Sequence, residues 1–368
     1  MTTEHRILSL VEWANSNGYP IRRYDWPQLS GRSYNSSFGT SLSDYASNMD
    51  SFHTNEGATI VEGKDVKLLQ IVWPSGGRRY EILGRDGSIL CDPFSKVWYR
   101  NLQNLGVYGR LTVDDRIDID VGHFKHHYRL ADKTTYLIGD TNHGHWLFDH
   151  FTKAFYATQL GLPPLLIREL DHFKLDTLRY INARASVIPD SYGAHTIFHV
   201  DSMFFLSNPP PSLIPATIRT VFQHNTSKPE KVVFFNKRRG NLRLANREPL
   251  SALFESLGVS VIDPSMLSLA ATLETISSAR LLIAPMGAEL TNVLFTTNPM
   301  IGLFPKTCMN PDNPVLNLLM TSVAVSRVIP IECLPVPGYE NASPDSTKFF
   351  CPELSTSKVL DLISYYSR

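Results

Sequence analysis

The chain lacks the features that assign many proteins directly. No apolar run reaches the length of a bilayer crossing, and the first residues, Met1-Thr2-Thr3-Glu4-His5-Arg6, hold no apolar stretch of a secretory leader. These two absences point to a chain working in the cytoplasm, at most peripheral to the inner face of a membrane. Charge of one sign is not in excess either, with 35 basic residues against 35 acidic ones. That argues against broad electrostatic capture of nucleic acid, while leaving room for a local basic site. Cysteine is scarce: Cys91, Cys308, Cys333 and Cys351 show no C-x-x-C spacing, which removes the common structural zinc motifs and reads as free thiols of a reducing compartment. Asn35, Asn225 and Asn341 head N-x-S/T triplets, and without a leader they read as chance matches.

What is present is a globular α/β chain. Its 368 residues exceed what one core holds and 43% of them are hydrophobic, so two domains are expected. Residues 1–60 are polar, with a helix over 7–16. From 58 to 136 the pattern favours short strands (58–61, 66–72, 80–83), and Asp86-Gly87 gives a hairpin signal. Next come a strand over 135–138, a helix over 145–160 and a strand over 163–167. Pro209-Pro210-Pro211 can continue neither a helix nor a central strand, which marks a link between domains. Beyond it, strands over 231–235, 259–262, 281–284 and 300–304 alternate with helices over 250–257, 267–279 and 290–295. That alternation implies a parallel, Rossmann-like sheet, which binds ligands at the carboxyl ends of its strands. An amphipathic helix over 357–366 closes the chain.

Three segments could carry chemistry. Pro285-Met286-Gly287-Ala288-Glu289-Leu290-Thr291-Asn292 follows an apolar strand and opens a helix, so its backbone N–H groups converge where an anion such as a diphosphate would sit. Asn236 through Glu248 holds Lys237, Arg238, Arg239, Arg243 and Arg247 between a buried strand and a helix, where guanidinium groups would face the same crevice. The alternatives for this segment are a solvated basic loop or a nucleic-acid patch, and Asn246 also suits a helix N-cap. In the third segment, His145, Asp149, Thr152 and Lys153 share one stripe of an α-helix, so His145 and Asp149 could form a base and its orienting carboxylate. The plain alternative is the wet side of an amphipathic helix. His123, His126, His127, His143, His145 and His150 crowd one region, but no HExxH or CxxC accompanies them, so no metal is expected.

Taken together, these segments resemble glycosyltransferases of family 61, a group of GT-B architecture that includes plant xylosyl- and arabinosyltransferases and animal O-linked N-acetylglucosaminyltransferases. The resemblance rests on Gly144-His145-Trp146-Leu147-Phe148-Asp149, on Lys237-Arg238-Arg239 through Arg243-Leu244-Ala245-Asn246, on Leu267-Ser268-Leu269, on Gly287-Ala288-Glu289-Leu290-Thr291-Asn292 and on Leu303-Phe304-Pro305, in the family's order across 140–310. It implies two Rossmann-like domains facing a cleft after a β-rich N-terminal segment. Residues 1–208 would form the acceptor side and 209–345 the nucleotide-sugar side, with 346–368 packing back toward the first. It also implies an inverting transfer without metal or cofactor, from a nucleotide-diphosphate sugar (UDP favoured) to a glycan or other hydroxyl acceptor, as in polysaccharide synthesis. Asp149 or His145 would be the base, and Lys237, Arg238, Arg239, Arg243 and residues Gly287 to Asn292 would hold the donor. Three positions depart from the family's pattern: Met286 replaces the loop histidine, Glu289 the second loop glycine, and Gly302 the acidic residue before L-x-P. These departures leave a second reading open, a degenerate member that binds a glycan or partner without catalysis. A third, from the histidines, is a metal hydrolase.

Overall fold

The computed structural model describes residues 2–26, 57–72, 78–90, 116–138, 146–188, 195–209, 213–222, 229–236, 243–296, 298–306, 328–340 and 348–367. The chain is mixed α/β, and among the described residues its strands form two sheets.

The first sheet draws on β1 (Thr2–Leu8), β2 (Ile21–Tyr24), β3 (Ala58–Val72), β4 (Arg78–Leu83), β5 (Ile89–Leu90), β6 (Arg116–Asp120), β7 (His126–Tyr136), β8 (Leu165–Arg168), β9 (Ala185–Ile188) and β10 (Thr196–Leu206). Its order is β6-β1-β5-β4-β3-β10-β7-β8-β9, with β2 also on β3. The β-rich N-terminal stretch is therefore joined edge to edge to a parallel block, β10-β7-β8-β9, through the long antiparallel pair β3–β10. The Asp86-Gly87 pair turns between β4 and β5, where the Ser88 N–H and hydroxyl both donate to Asp86 Oδ1, at 2.9 and 2.6 Å.

At the N-terminus the structure corrects the expected helix over 7–16. Ile7 and Leu8 belong to β1, which pairs with β5 and β6, and α1 runs Leu10–Asn17. The start is set by a capping box: Ser9 takes the N-cap position, and the Glu12 carboxylate accepts from the Ser9 N–H at 3.0 Å.

Helices α2 (Thr152–Gln159), α3 (His172–Tyr180) and α4 (Leu213–Val221) lead to the second sheet. This sheet contains β11 (Lys231–Phe235), β12 (Ser260–Ile262), β13 (Ala279–Pro285), β14 (Met300–Pro305), β15 (Val328–Pro335) and β16 (Phe349–Phe350), in the order β12-β11-β13-β14-β15-β16. The first five strands are parallel and β16 is antiparallel. Helix α5 (Arg247–Ser256) connects β11 to β12, α6 (Leu269–Ser278) connects β12 to β13, and α7 (Glu353–Ser367) packs against β11, β13 and β15. Two local signals place these helices where the sequence suggests. Gly258, at φ 77°, ends α5 as a left-handed residue, and the Ser268 hydroxyl accepts from the Ala271 N–H at the start of α6.

One apolar core includes residues of both sheets, among them Ile60, Leu165, Ile167 and Leu206 from the first and Phe234, Leu282 and Ile301 from the second. Aromatic rings carry the join. Phe222, just after α4, lies 5.0 Å from Phe151 and 5.3 Å from Phe295, and Phe295 in turn meets Phe173 of α3 at 6.5 Å. A second core, which includes Trp13 and Phe205 in edge contact, lies under α1 on the first sheet.

Gly302 sits in the middle of β14, where an added Cβ would lie 2.4 Å from a ring carbon of Phe304. The fully buried Phe304 ring thus fills the space a side chain at 302 would need. Gly302→Ala should cost about 1–3 kcal/mol of stability through overpacking, read as a lower denaturant midpoint. An unchanged midpoint would mean that the ring can move aside.

Candidate functional site

The second sheet reverses direction once. From β11 the chain moves outward to β12, then returns past β11 to β13 and continues to β14 and β15. The connections that leave β11 and β13 therefore run in opposite directions. Right-handed crossovers would put them on opposite faces, the arrangement in which such sheets take ligands at the carboxyl ends of the two strands. Phe234 is level with Ile283 across the pair, so Asn236 and Pro285 leave the sheet at the same height. The basic turn and the Gly287 turn therefore start side by side.

Asn236 anchors the first turn. It is buried, its N–H donates to Ile262 O at 2.8 Å, and its amide donates to Ser251 Oγ of α5 at 2.7 Å. Lys237, Arg238 and Arg239 lie outside the described residues. The turn re-enters at Arg243, half-buried, whose carbonyl accepts from the Phe349 N–H at 2.9 Å. Asn246 occupies the N-cap position of α5, but its side chain does not cap the helix. It clamps Cys351 instead: the Asn246 amide donates to Cys351 O at 2.8 Å, and the Cys351 N–H donates to Asn246 Oδ1 at 3.0 Å. Arg247, the first residue of α5, bonds Glu248 through Nε at 3.2 Å, while its Nη1 is buried with no hydrogen-bond partner among the described residues. In the sequence nothing separates Arg247 from the other arginines of the turn, and only its buried Nη1 marks it as a candidate ligand.

The second turn is built on Gly287. Its φ of 156° and ψ of −161° belong to a region essentially reserved for glycine. An added Cβ there would lie 2.9 Å from Glu289 Oε2, so the Glu289 carboxylate is folded back over the turn. Residues Ala288–Phe295 form a 3-10 helix, and the Leu290 N–H donates to Gly287 O at 3.1 Å. Ala288 is placed by its backbone alone. Leu290, Thr291 and Asn292 are buried, and Asn292 donates to Glu289 O at 3.0 Å while its Oδ1 has no partner among the described residues. Met286 is also buried, and its N–H extends the ladder to Leu303 O at 2.8 Å. Of the residues Gly287 to Asn292, only the first turn can offer surface to a ligand. The rest hold that turn in place.

The third segment lies beyond the carboxyl end of β7. Ile138, just past that strand, has φ 28°, an unfavourable value for a β-branched residue, at the entrance to the segment that holds His145. His145 itself lies outside the described residues. Trp146–Phe151 is wound as a π-helix rather than the α-helix expected over 145–160. π-turns are rare and occur often at functional sites. The wider winding shifts the phase of the next residues, so Thr152, expected on a polar stripe, is fully buried, and its hydroxyl has no partner among the described residues. Lys153 remains partly exposed and donates to Asn208 Oδ1 at 3.4 Å. Trp146 fixes the turn: its indole N–H donates to Thr177 Oγ1 of α3 at 2.9 Å. Asp149 is placed by its backbone alone.

Among the described residues, no group of three or more His, Cys, Asp or Glu side chains is arranged to hold a metal. His127 and His199 sit 3.3 Å apart across β7 and β10, and His195 Nδ1 accepts from the Val72 N–H at 3.1 Å. Burial, and then the neighbouring His123, hold the His195 ring below the usual histidine range. No described helix is long and apolar enough to cross a membrane.

Removing the Asn246 clamp leaves the Cys351 N–H and C=O without these partners. Asn246→Ala should therefore cost about 1–3 kcal/mol, measured by urea unfolding. Wild-type stability in that variant would show that water replaces the clamp.

Residues 143–310, just under half of the chain, match the family model described as Glycosyltransferase 61. No curated protein matches the chain.

Proposed function

We propose that the chain, whose residues 143–310 match the Glycosyltransferase 61 model, is a glycosyltransferase of that family and transfers a sugar, with inversion, from a nucleotide-diphosphate donor to an acceptor hydroxyl. The observation that carries this reading is the reversal of strand order between β11 and β13, flanked by a basic turn and a glycine turn. The donor is a UDP-sugar, and its diphosphate lies in the crevice at the carboxyl ends of these two strands. The chain divides into an acceptor side, 1–208, and a donor side, 209–345, in the GT-B manner, with 346–368 as a closing helix. It works in the cytoplasm on a glycan, as in polysaccharide synthesis, and needs no metal.

In the reaction the acceptor oxygen attacks the anomeric carbon as the bond to the diphosphate breaks, and Asp149 or His145 takes the acceptor proton. Negative charge grows on the leaving diphosphate at that moment. Arg243, with Lys237, Arg238 and Arg239 from the same turn, and the first N–H groups after Gly287 stabilise it; removal of one such donor typically slows transfer by about 10²-fold or more. Arg247 adds a fifth cation, whose buried Nη1 lacks an acceptor among the described residues. The Glu289 carboxylate over Gly287 opposes a diphosphate at the same place. It turns outward when the donor binds, where it can accept a hydrogen bond from a sugar hydroxyl.

The departures at Met286 and Glu289 favour a second reading, a member that binds a glycan or partner without catalysis. Met286 is a core side chain and offers nothing polar to the crevice. Titration calorimetry with UDP separates the two readings, since the degenerate member gives no heat. Arg243→Ala should weaken UDP binding about tenfold or more, the equivalent of one charge-assisted hydrogen bond. Wild-type affinity in that variant would remove Arg243 from the donor site. Asp149→Asn should abolish transfer while UDP still binds, and retained turnover would take Asp149 out of the base role.

A further inference from the structure

Cys333 and Cys351 are the described free thiols, and both are buried. The strand register sets them opposite each other. β15 and β16 pair antiparallel with Leu334 facing Phe350 and Pro335 facing Phe349, so the next facing pair is Cys333 and Cys351. At the other end of the ladder Val336 faces Lys348, and the Val336 N–H donates to Lys348 O at 2.9 Å, which makes that pair hydrogen-bonded. Antiparallel pairs alternate, so Cys333 and Cys351 form a non-hydrogen-bonded pair, the type in which Cα atoms approach to about 4.5 Å. A disulfide takes Cα separations of roughly 4.4–6.8 Å. The backbone groups of Phe349 and Cys351 face away from β15, and they bond the Arg243–Asn246 segment instead. β16 is thus held between β15 on one side and the return limb of the basic turn on the other.

We propose that Cys333 and Cys351 are a redox site: a hydroperoxide converts them to a disulfide that locks β16 to β15 and stiffens the return limb, Arg243–Asn246.

The two thiols are unequal in a way that suits the reaction. The neighbouring Cys333 thiol draws the Cys351 thiol below the usual thiol range, and the Thr356 hydroxyl, 3.5 Å from its sulfur, acts in the same direction. The neighbouring Cys351 sulfur, and then burial, push the Cys333 thiol up. The Cys351 sulfur accepts from the Thr356 hydroxyl, while the Cys333 thiol keeps its proton on Ile331 O at 3.8 Å, so Cys351 is the attacking thiolate and Cys333 the resolving thiol. The Cys351 sulfur attacks one oxygen of hydrogen peroxide and the O–O bond breaks, giving a sulfenic acid and one water. The Cys333 sulfur then attacks the sulfenic sulfur, and hydroxide leaves with the Cys333 proton as a second water. Two thiols lose two electrons in total, and one peroxide becomes two waters.

The test uses the full chain with Cys91 and Cys308 replaced by serine, treated with hydrogen peroxide while folded. The expected result is loss of both thiols, a linked peptide pair holding 333 and 351, and full recovery with dithiothreitol. Amide exchange at Ala245 and Cys351 should be slower in the oxidised form. A further Cys333→Ser change should stop the reaction at a sulfenic acid that dimedone traps at Cys351. Survival of both thiols in excess peroxide, or oxidation of Cys351 with no bridge to 333, would overturn the proposal. So would a bridge that leaves exchange at Ala245 and Cys351 unchanged.

Discussion

The second sheet of this protein depends on a single topological constraint. In a parallel sheet whose chain moves outward once and then returns, the connections leaving two neighbouring strands must lie on opposite faces, and neither covers the carboxyl ends of that pair. Here those strands are β11 and β13. Backbone handedness sets that arrangement, and Asn236, which opens the basic turn, and Pro285, which precedes the glycine turn, leave the sheet level with each other. The rest of the second sheet supports that arrangement: Asn236 ties the first turn to α5, and the ladder bond from Met286 to Leu303 fixes the base of the second.

The two sheets share a core, so the π-turn that carries Asp149 and the crevice are not independent parts. The contact between them is aromatic. Phe151 ends the π-turn, Phe222 follows α4, and Phe295 ends the 3-10 helix that begins at the Gly287 turn. Rings in edge-to-face or tilted contact hold their spacing well because each fills a large volume in a dense interior. This chain of rings links the expected acceptor-side motif to the expected donor-side turn.

Much of the second sheet is legible in the sequence because its signals are local. Four apolar runs form β11, β12, β13 and β14, and Gly258 and Ser268 mark helix ends by their own backbone and hydroxyl chemistry. The misses have non-local causes. Ile7 and Leu8 fit a helical period as well as a strand, and only the pairing of β1 with its neighbours settles them. One extra residue in a helical turn leaves no mark in composition, yet the π-turn moves Thr152 from the expected surface stripe into the core. β16 is two residues long, too short for any periodicity, and its role emerges only through the Asn246 clamp. The Gly287 turn is plain in the sequence, but Glu289 folding back over it is not, because side-chain direction at a turn depends on the space glycine leaves open.

The most direct measurement is a crystal structure of the protein with UDP. The diphosphate is expected at the carboxyl ends of β11 and β13, within hydrogen-bonding distance of Arg243 and of the N–H groups that come after Gly287, with the Glu289 carboxylate turned away. A diphosphate bound elsewhere, or UDP in the crevice with its phosphates pointing away from both turns, would contradict the proposed donor site.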